Sequence, residues 1–257
     1  MIDRFHKSMS SRAAALLLTI DTRLERILLF WLLLASVAAA ARIGLASSFT
    51  PASGISTIGS YSLVVLAPVV STLLALRWFR KDAVHSQPVT RLAQVGRWSS
   101  LSRSEAKRHP LYGTSGIMVS LLVGMMLNVP VRAAEYFAAM PPLPTMTPSW
   151  LSALHLAMTL DVVLFGSLYM VAFVAALRKV PLFPRLLLAI WLGDLAMQLF
   201  TVQLVTSAGG LPTGVASALH SLLDGNVKKV LISMGLWLPY LLLSTRVNVT
   251  YRHRVPA

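Results

Sequence analysis

The sequence predicts an all-α membrane protein, a polytopic bundle of six transmembrane helices with both termini in the cytoplasm. Of its 257 residues, 56% are hydrophobic and 12% are charged, and the mean hydropathy is +0.69. A chain of this composition has too little polar surface to coat a soluble globule. Short loops rich in Lys and Arg stay in the cytoplasm, and six spans place nineteen of the 23 Lys and Arg residues on that side.

Composition also excludes several kinds of chemistry. Cysteine is absent, so the chain has no disulfide, thiolate nucleophile or cysteine metal site. The sequence contains no HExxH, no GxSxG and no phosphate-binding glycine loop, and we predict no cofactor and no catalytic residue. The net charge of +14 would suggest a nucleic-acid partner in a soluble protein, but the basic residues here flank apolar spans. We therefore predict contact with the lipid bilayer and its anionic headgroups, and no nucleic-acid partner.

Residues 1–76 are predicted to form an N-terminal segment with two transmembrane helices. The first span runs from Ile27 to about Ala46, and the second runs from about Ile55 to Leu76. Both are long enough to cross the hydrocarbon core. The hydroxyl groups of Ser10 and Ser11 suit a helix cap. We therefore expect helical structure to begin near these serines and to continue into the first span.

A cleaved signal peptide is the alternative interpretation of the first span. The alanines at 38–41 suit a cleavage site. Against cleavage, the leading region is long and contains Asp3, Asp21 and Glu25, whereas signal peptides begin with a short basic region. We predict a retained helix, with Arg42 reaching outward to the interface.

Residues 77–109 form a basic loop, predicted to be cytoplasmic. Within it, apolar residues recur every three positions and arginines alternate with them. The apolar set is Leu92, Val95, Trp98 and Leu101, and the arginines are Arg91, Arg97 and Arg103. This pattern would let a short helix lie on anionic headgroups. A solvated connector held near the membrane by charge alone is the alternative.

Residues 110–257 are predicted to form a four-helix membrane domain. Its spans are Leu111–Val131, Leu151–Leu177, Leu186–Val205 and Val230–Ser244. The proline-rich connector Met140–Pro148 should be stiff and extended. Residues 213–223 are predicted to form a short helical piece that lies flat at the outer interface, and Gly225 suits the end of that piece.

Three stretches within this domain carry a resemblance to a known family. They are Leu111-Tyr-Gly-Thr-Ser-Gly-Ile-Met, Pro181-Leu-Phe-Pro-Arg and Trp237-Leu-Pro-Tyr-Leu-Leu-Leu-Ser-Thr-Arg-Val-Asn-Val-Thr-Tyr. They resemble the bacterial four-helix membrane family catalogued as domain of unknown function 2569. The chain departs from that pattern at Gly116-Ile117, where glycine followed by tryptophan is expected, and in its additional residues 1–109. The resemblance implies an inner-membrane protein and implies no activity.

Two acidic residues lie deep inside predicted spans. Asp161 and Asp194 are about 16 and 12 Å along their helices, in a core about 30 Å thick. An Asp at a helix centre costs roughly 2.5–3.5 kcal/mol, so both side chains should point into the bundle. We expect them to face each other or a shared partner, with Gln198 as a neutral partner. The pair is either a proton- or cation-linked site or a structural contact that fixes helix packing.

A second polar group lies at the end of the third span. Arg132 is three positions before Glu135 and one turn after Asn128, so the three side chains can share a helix face. The simplest interpretation is an interfacial ion pair between Arg132 and Glu135 near water. The alternative has Arg132 reaching inward to neutralise one of the two buried aspartates.

Three functions remain open at this stage, for a protein that we place in the bacterial inner membrane. The leading hypothesis is a non-enzymatic scaffold or accessory subunit, because the sequence shows no catalytic constellation; its partner would be another membrane protein or a second copy of the chain. A small proton- or cation-coupled transporter using Asp161 and Asp194 is the first alternative. The second is a lipid-acting enzyme at the outer face, built from Arg132, Glu135, His220 and Asp224. The last two residues alone lack the third ligand that a zinc site requires.

Overall fold

The computed structural model describes the backbone of residues 2–46, 51–80, 86–89, 92, 96–143 and 146–257, and the side chains of these except residues 2–14 and 51–56. In chain order the elements are α1 (Ile2–Gly44), α2 (Pro51–Trp78), β1 (Trp98–Ser100), α3 (Arg103–Arg108), α4 (Met118–Ala139), α5 (Ser149–Leu177), α6 (Phe183–Ser207), α7 (Thr213–Leu243), α8 (Thr245–Val247), a π-helical turn (Asn248–Arg252) and β2 (Arg254–Pro256). The all-α class is confirmed.

Within the described residues, five helices are long and apolar enough to cross a membrane, namely α1, α2, α4, α5 and α6. A sixth span results if α7 is taken together with Thr245–Arg252, which follows it after a bend of 64°. The protein is therefore a multi-pass membrane bundle. This count agrees with the prediction of six spans, with the last one broken near its end.

Helix α5 is at the centre of the bundle, where it packs against α2, α4 and α6. Its sequence is apolar on all sides, as expected for a helix whose sides face either protein or lipid. Small side chains permit close approach: Ala172, Ala175 and Ala176 are fully buried. A β-carbon at Gly166 would lie 3.7 Å from Pro68 of α2. Asp161 of α5 is consequently buried inside the protein.

The third span was predicted seven residues too early. Helix α4 begins at Met118 and not at Leu111, because the preceding residues form turns in which Gly113 and Gly116 have φ of 111° and 66°. The backbone N–H of Gly113 donates a hydrogen bond of 2.9 Å to the hydroxyl of Thr250. At the other end, α4 passes through Pro130 and continues to Ala139.

Two further boundaries differ from the prediction. Helix α1 begins at Ile2 and not near Ser10 or Ser11. Gly225 does not end a helix, because α7 continues through it from Thr213 to Leu243. Residues 213–223 are thus the first third of a long helix, and Leu219 and Leu223 bury their side chains against the bundle. This burial outweighs the cost of about 1 kcal/mol for an internal glycine.

The predicted interfacial helix in the basic loop is wrong for the residues that the structure describes. Residues Trp98–Ser100 form strand β1, which pairs antiparallel with β2 at the C-terminus. Arg91 and Val95 lie outside the described residues. The short helix α3 follows β1, and its capping box joins Ser102 to Glu105. The hydrogen bonds from Ser102 hold the pKa of the Glu105 carboxyl below its usual range.

The C-terminal tail folds back against the bundle and does not trail into solvent. Arg252 and Arg254 are buried, and both donate hydrogen bonds to the side-chain oxygen of Asn248, at 3.0 and 2.8 Å. The hydroxyl of Tyr251 donates to the carbonyl of Ala176 in α5, at 2.9 Å. The tail therefore ties β1, α5 and the end of α7 together at one end of the bundle.

Candidate functional site: a charged cavity in the bundle

Arg132 connects three helices through two carboxylates. From α4, its Nη1 atom donates a hydrogen bond of 2.6 Å to Oδ2 of Asp161 on α5. Its Nη2 atom donates to Oδ2 of Asp194 on α6. The side chains of Arg132, Asp161 and Asp194 are only 12%, 8% and 0% exposed. The structure thus brings the two aspartates to one shared partner, and Arg132 is the residue that they share.

The neutral residues around the two acids complete this polar group. The amide Nε2 of Gln198 donates to Oδ1 of Asp161 and to Oδ1 of Asp194, each at 3.3 Å. The Oδ1 atom of Asn128 accepts from Nε of Arg132 at 3.0 Å, one turn earlier on α4. Asn226 of α7 donates to Oε1 of Gln198 at 3.5 Å, so the polar contacts include all four helices from α4 to α7.

Aromatic rings enclose the guanidinium. The ring centroids of Phe165 and Tyr169 lie 5.2 and 5.9 Å from Cζ of Arg132, within the range of cation–π attraction. The hydroxyl of Tyr169 donates to Oδ2 of Asp194 at 3.5 Å. The side chain of Arg132 is largely buried, and charge–charge interactions are stronger at such a position because the dielectric constant is lower than in water.

The position of the aspartates along their helices explains why they meet. Asp161 lies about 18 Å from the start of α5, and Asp194 lies about 16 Å from the start of α6, at 1.5 Å per residue. The two helices are antiparallel neighbours with 29 and 25 residues. Points near their midlengths are therefore at the same level of the bundle.

A cavity of about 410 Å³ lies beside this polar group, between α4, α5, α6 and α7. Its charged lining consists of three carboxylates and two cations, namely Glu135, Asp161, Asp194, Arg132 and Lys229. With all five groups ionised, the lining has one negative charge in excess. The apolar part of the wall includes Val131, Met158, Val162 and Val230.

A second ion pair lies at the mouth of the cavity, where the charged lining is most exposed. Nζ of Lys229 on α7 lies 2.6 Å from Oε1 of Glu135 on α4, and the two side chains are 60% and 45% exposed. The predicted pair between Arg132 and Glu135 is therefore wrong. The side chain of Arg132 reaches from α4 to the aspartates inside the bundle. Glu135 therefore pairs with Lys229 instead. The neighbouring Lys228 pairs with Asp224 on the outer surface of α7, and neither of these two lines the cavity.

The residues of the predicted outer-face enzyme do not form one cluster. Arg132 and Glu135 line the cavity, whereas His220 and Asp224 do not. Asp224 is exposed and pairs with Lys228, and His220 is exposed. Among the residues that the structure describes, no group of three His, Asp or Glu side chains could hold a metal ion.

Sequence reasoning missed three residues of the site. Lys229 has no local signal of its role, because its partner Glu135 is 94 positions away in the sequence. Asn226 lies just beyond the predicted helical piece 213–223 and is likewise without a local signal. Tyr169 carries a signal that could have been used, since it lies two helical turns after Asp161 and so shares a face with it.

The chain has no match among protein-family models, curated proteins or solved structures. The resemblance of residues 110–257 to a bacterial membrane family therefore stays a prediction. Function has to be argued from the cavity and its charges.

Proposed function

We propose that this chain is a small proton- or cation-coupled transporter of the bacterial inner membrane. The observation that carries the proposal is the excess negative charge that lines a cavity at the level of Asp161 and Asp194. A buried charge without a counter-charge is costly in the low-dielectric interior of a membrane protein. A proton or a cation in the cavity would remove that cost, and exchange between the two would couple their movements.

The charge pattern favours this function over a purely structural role. A structural ion pair inside a bundle is expected to be balanced and closely packed, because an unfilled volume loses packing contacts. Here two carboxylates share one guanidinium, and a cavity borders them. The scaffold or accessory subunit, which the sequence alone favours, requires neither feature.

The orientation of the spans is part of the proposal. The excess of basic residues supports a cytoplasmic position for the C-terminus and the basic loop, which puts the cavity mouth in the outer half of the membrane. Because the chain has no cysteine, single cysteines can be placed freely. Ser99→Cys and Ala257→Cys should resist a membrane-impermeant maleimide in intact spheroplasts, whereas Ser207→Cys should react. The reverse pattern would show that the bundle is inverted.

Proton movement in proteoliposomes tests the function. Vesicles that contain an internal pH dye are given inward gradients of sodium, potassium, choline or propylammonium chloride in turn. We expect at least one gradient to move protons faster than in protein-free vesicles. Asp161→Asn should reduce this flux to the protein-free rate, because it removes the excess negative charge.

Asp224→Asn is the matched control, since it is the same substitution at an exposed aspartate outside the cavity. It should transport as the unmodified protein does. If none of the gradients moves protons in the unmodified protein, or if Asp161→Asn retains full flux, the transporter proposal is wrong.

A further inference from the structure

We infer that the solute bound in the cavity is a small organic cation with an ammonium group, and not a metal ion. This inference rests on the proposed function and specifies its substrate class. The volume is the first reason. A single water occupies about 30 Å³ of liquid volume, so 410 Å³ far exceeds the need of a proton or a bare ion. Pockets for small molecules are roughly 300–1,000 Å³.

The hydrogen-bonding capacity of the carboxylates is the second reason. Arg132 occupies Oδ2 of both aspartates, while each Oδ1 accepts one bond from Gln198. A carboxylate oxygen has two lone-pair sites, so these Oδ1 atoms retain acceptor capacity. An ammonium group has three N–H donors and no acceptor, which complements them. Asp161 is the less deeply buried member of the pair, at 8% exposed against 0% for Asp194, and would make the contact.

The rest of the lining suits the organic part of such a ligand. Val131, Met158, Val162 and Val230 supply an apolar wall against which alkyl groups can be buried. Tyr136 and Tyr169 also border the cavity, and aromatic faces attract ammonium groups at close range. A metal ion would instead need several converging oxygen or nitrogen ligands, and no group of three His, Asp or Glu side chains that could provide them is found in the described part of the chain.

Lys229 provides an internal comparison. Its ammonium group lies 2.6 Å from Glu135 at the cavity mouth, so the chain already holds a primary ammonium against a carboxylate of this lining. An incoming ammonium group passes this pair. Lys229→Met would leave three carboxylates with one cation, which increases the excess negative charge from one to two. A cationic ligand should then bind more tightly.

Isothermal titration calorimetry on the purified full-length protein in detergent tests the inference with propylammonium chloride as the probe. We expect propylammonium to bind in preference to sodium and to 1-propanol, which has a similar size and no charge. Asp161→Asn should weaken binding at least about tenfold, corresponding to about 1.4 kcal/mol. Lys229→Met should strengthen it several-fold, and Lys228→Met, one position away and outside the cavity, should leave it unchanged.

Some outcomes would overturn the inference and leave the proposed function standing. Proton flux in vesicles without any propylammonium binding would do so, as would equal affinity for sodium and propylammonium. Weaker binding in Lys229→Met, in a variant that elutes as a folded monodisperse protein, would contradict the charge argument. If neither flux nor binding is detected, the inference and the proposed function both fail.

Discussion

Arg132→Met is expected to destabilise the bundle by about 3–5 kcal/mol, the usual cost of removing one partner from a buried ion pair. The reason is that Asp161 and Asp194 would lose the guanidinium that both contact and remain in a site where they are 8% and 0% exposed. Methionine fills a comparable apolar volume, so the loss is mainly electrostatic. Thermal unfolding in detergent, followed by circular dichroism, measures the change.

A rescue variant separates charge from packing in this experiment. Adding Asp161→Asn and Asp194→Asn to Arg132→Met removes all three charges, and most of the lost stability should return. Arg97→Met is the control, because Arg97 is exposed and is not part of the cavity lining. An unfolding temperature for Arg132→Met equal to that of the unmodified protein would mean that the three-residue contact contributes nothing to stability.

The double substitution Asp161→Leu and Asp194→Leu should have an effect of similar size. It leaves Arg132 as a buried cation between two apolar side chains, again at a cost of about 3–5 kcal/mol. Gln198 would also lose its bonds to both carboxylates. The same unfolding measurement applies, and proteolysis of α7 should increase because Asn226 contacts this group through Gln198.

The single amide substitutions are the comparison for that double variant. Asp161→Asn alone leaves the pair of Arg132 and Asp194 intact, and the amide oxygen can still accept a hydrogen bond. This variant should therefore insert and fold. If the double leucine variant were as stable as Asp161→Asn, the aspartates would have no role in holding α4, α5 and α6 together.

The depth of the aspartates could be predicted from the sequence because it depends on local properties only. Counting residues along an apolar helix gives the level of a side chain to within about one turn. The short connector between α5 and α6 makes them antiparallel neighbours. These two arguments sufficed to predict that Asp161 and Asp194 face each other or a shared partner, with Gln198 as a neutral partner.

Helix boundaries were harder to predict because tertiary contacts override local signals. Pro130 and Gly225 are both residues that commonly interrupt helices. In the structure both lie inside helices, since a transmembrane bundle can satisfy or bury the affected backbone groups. As a consequence, Arg132 was placed at a helix end, where an interfacial pair with Glu135 was the natural interpretation.

Pairings between distant segments were not predictable from the loop sequences. Strand β1 acquires its partner from the last residues of the chain, and the spacing of Trp98 and Leu101 by itself also fits a helix. Similarly, Arg252 and Arg254 entered the prediction only as two of the nineteen cytoplasmic basic residues. In the structure both are buried and donate hydrogen bonds to Asn248. A single sequence contains no information about which remote residue will satisfy such groups.

Infrared spectroscopy measures the excess charge of the cavity most directly. The protein is kept at neutral pH with tetrabutylammonium as the only cation, which has no N–H group to donate to the carboxylates. A proton should then balance the charge, so the spectrum should contain the carbonyl stretch of a protonated carboxylic acid. That band should be absent in Asp161→Asn and should disappear when propylammonium is added. A spectrum without any protonated carboxyl in the unmodified protein, or a band that persists unchanged in both Asp161→Asn and Asp194→Asn, would contradict a cation- or proton-linked site.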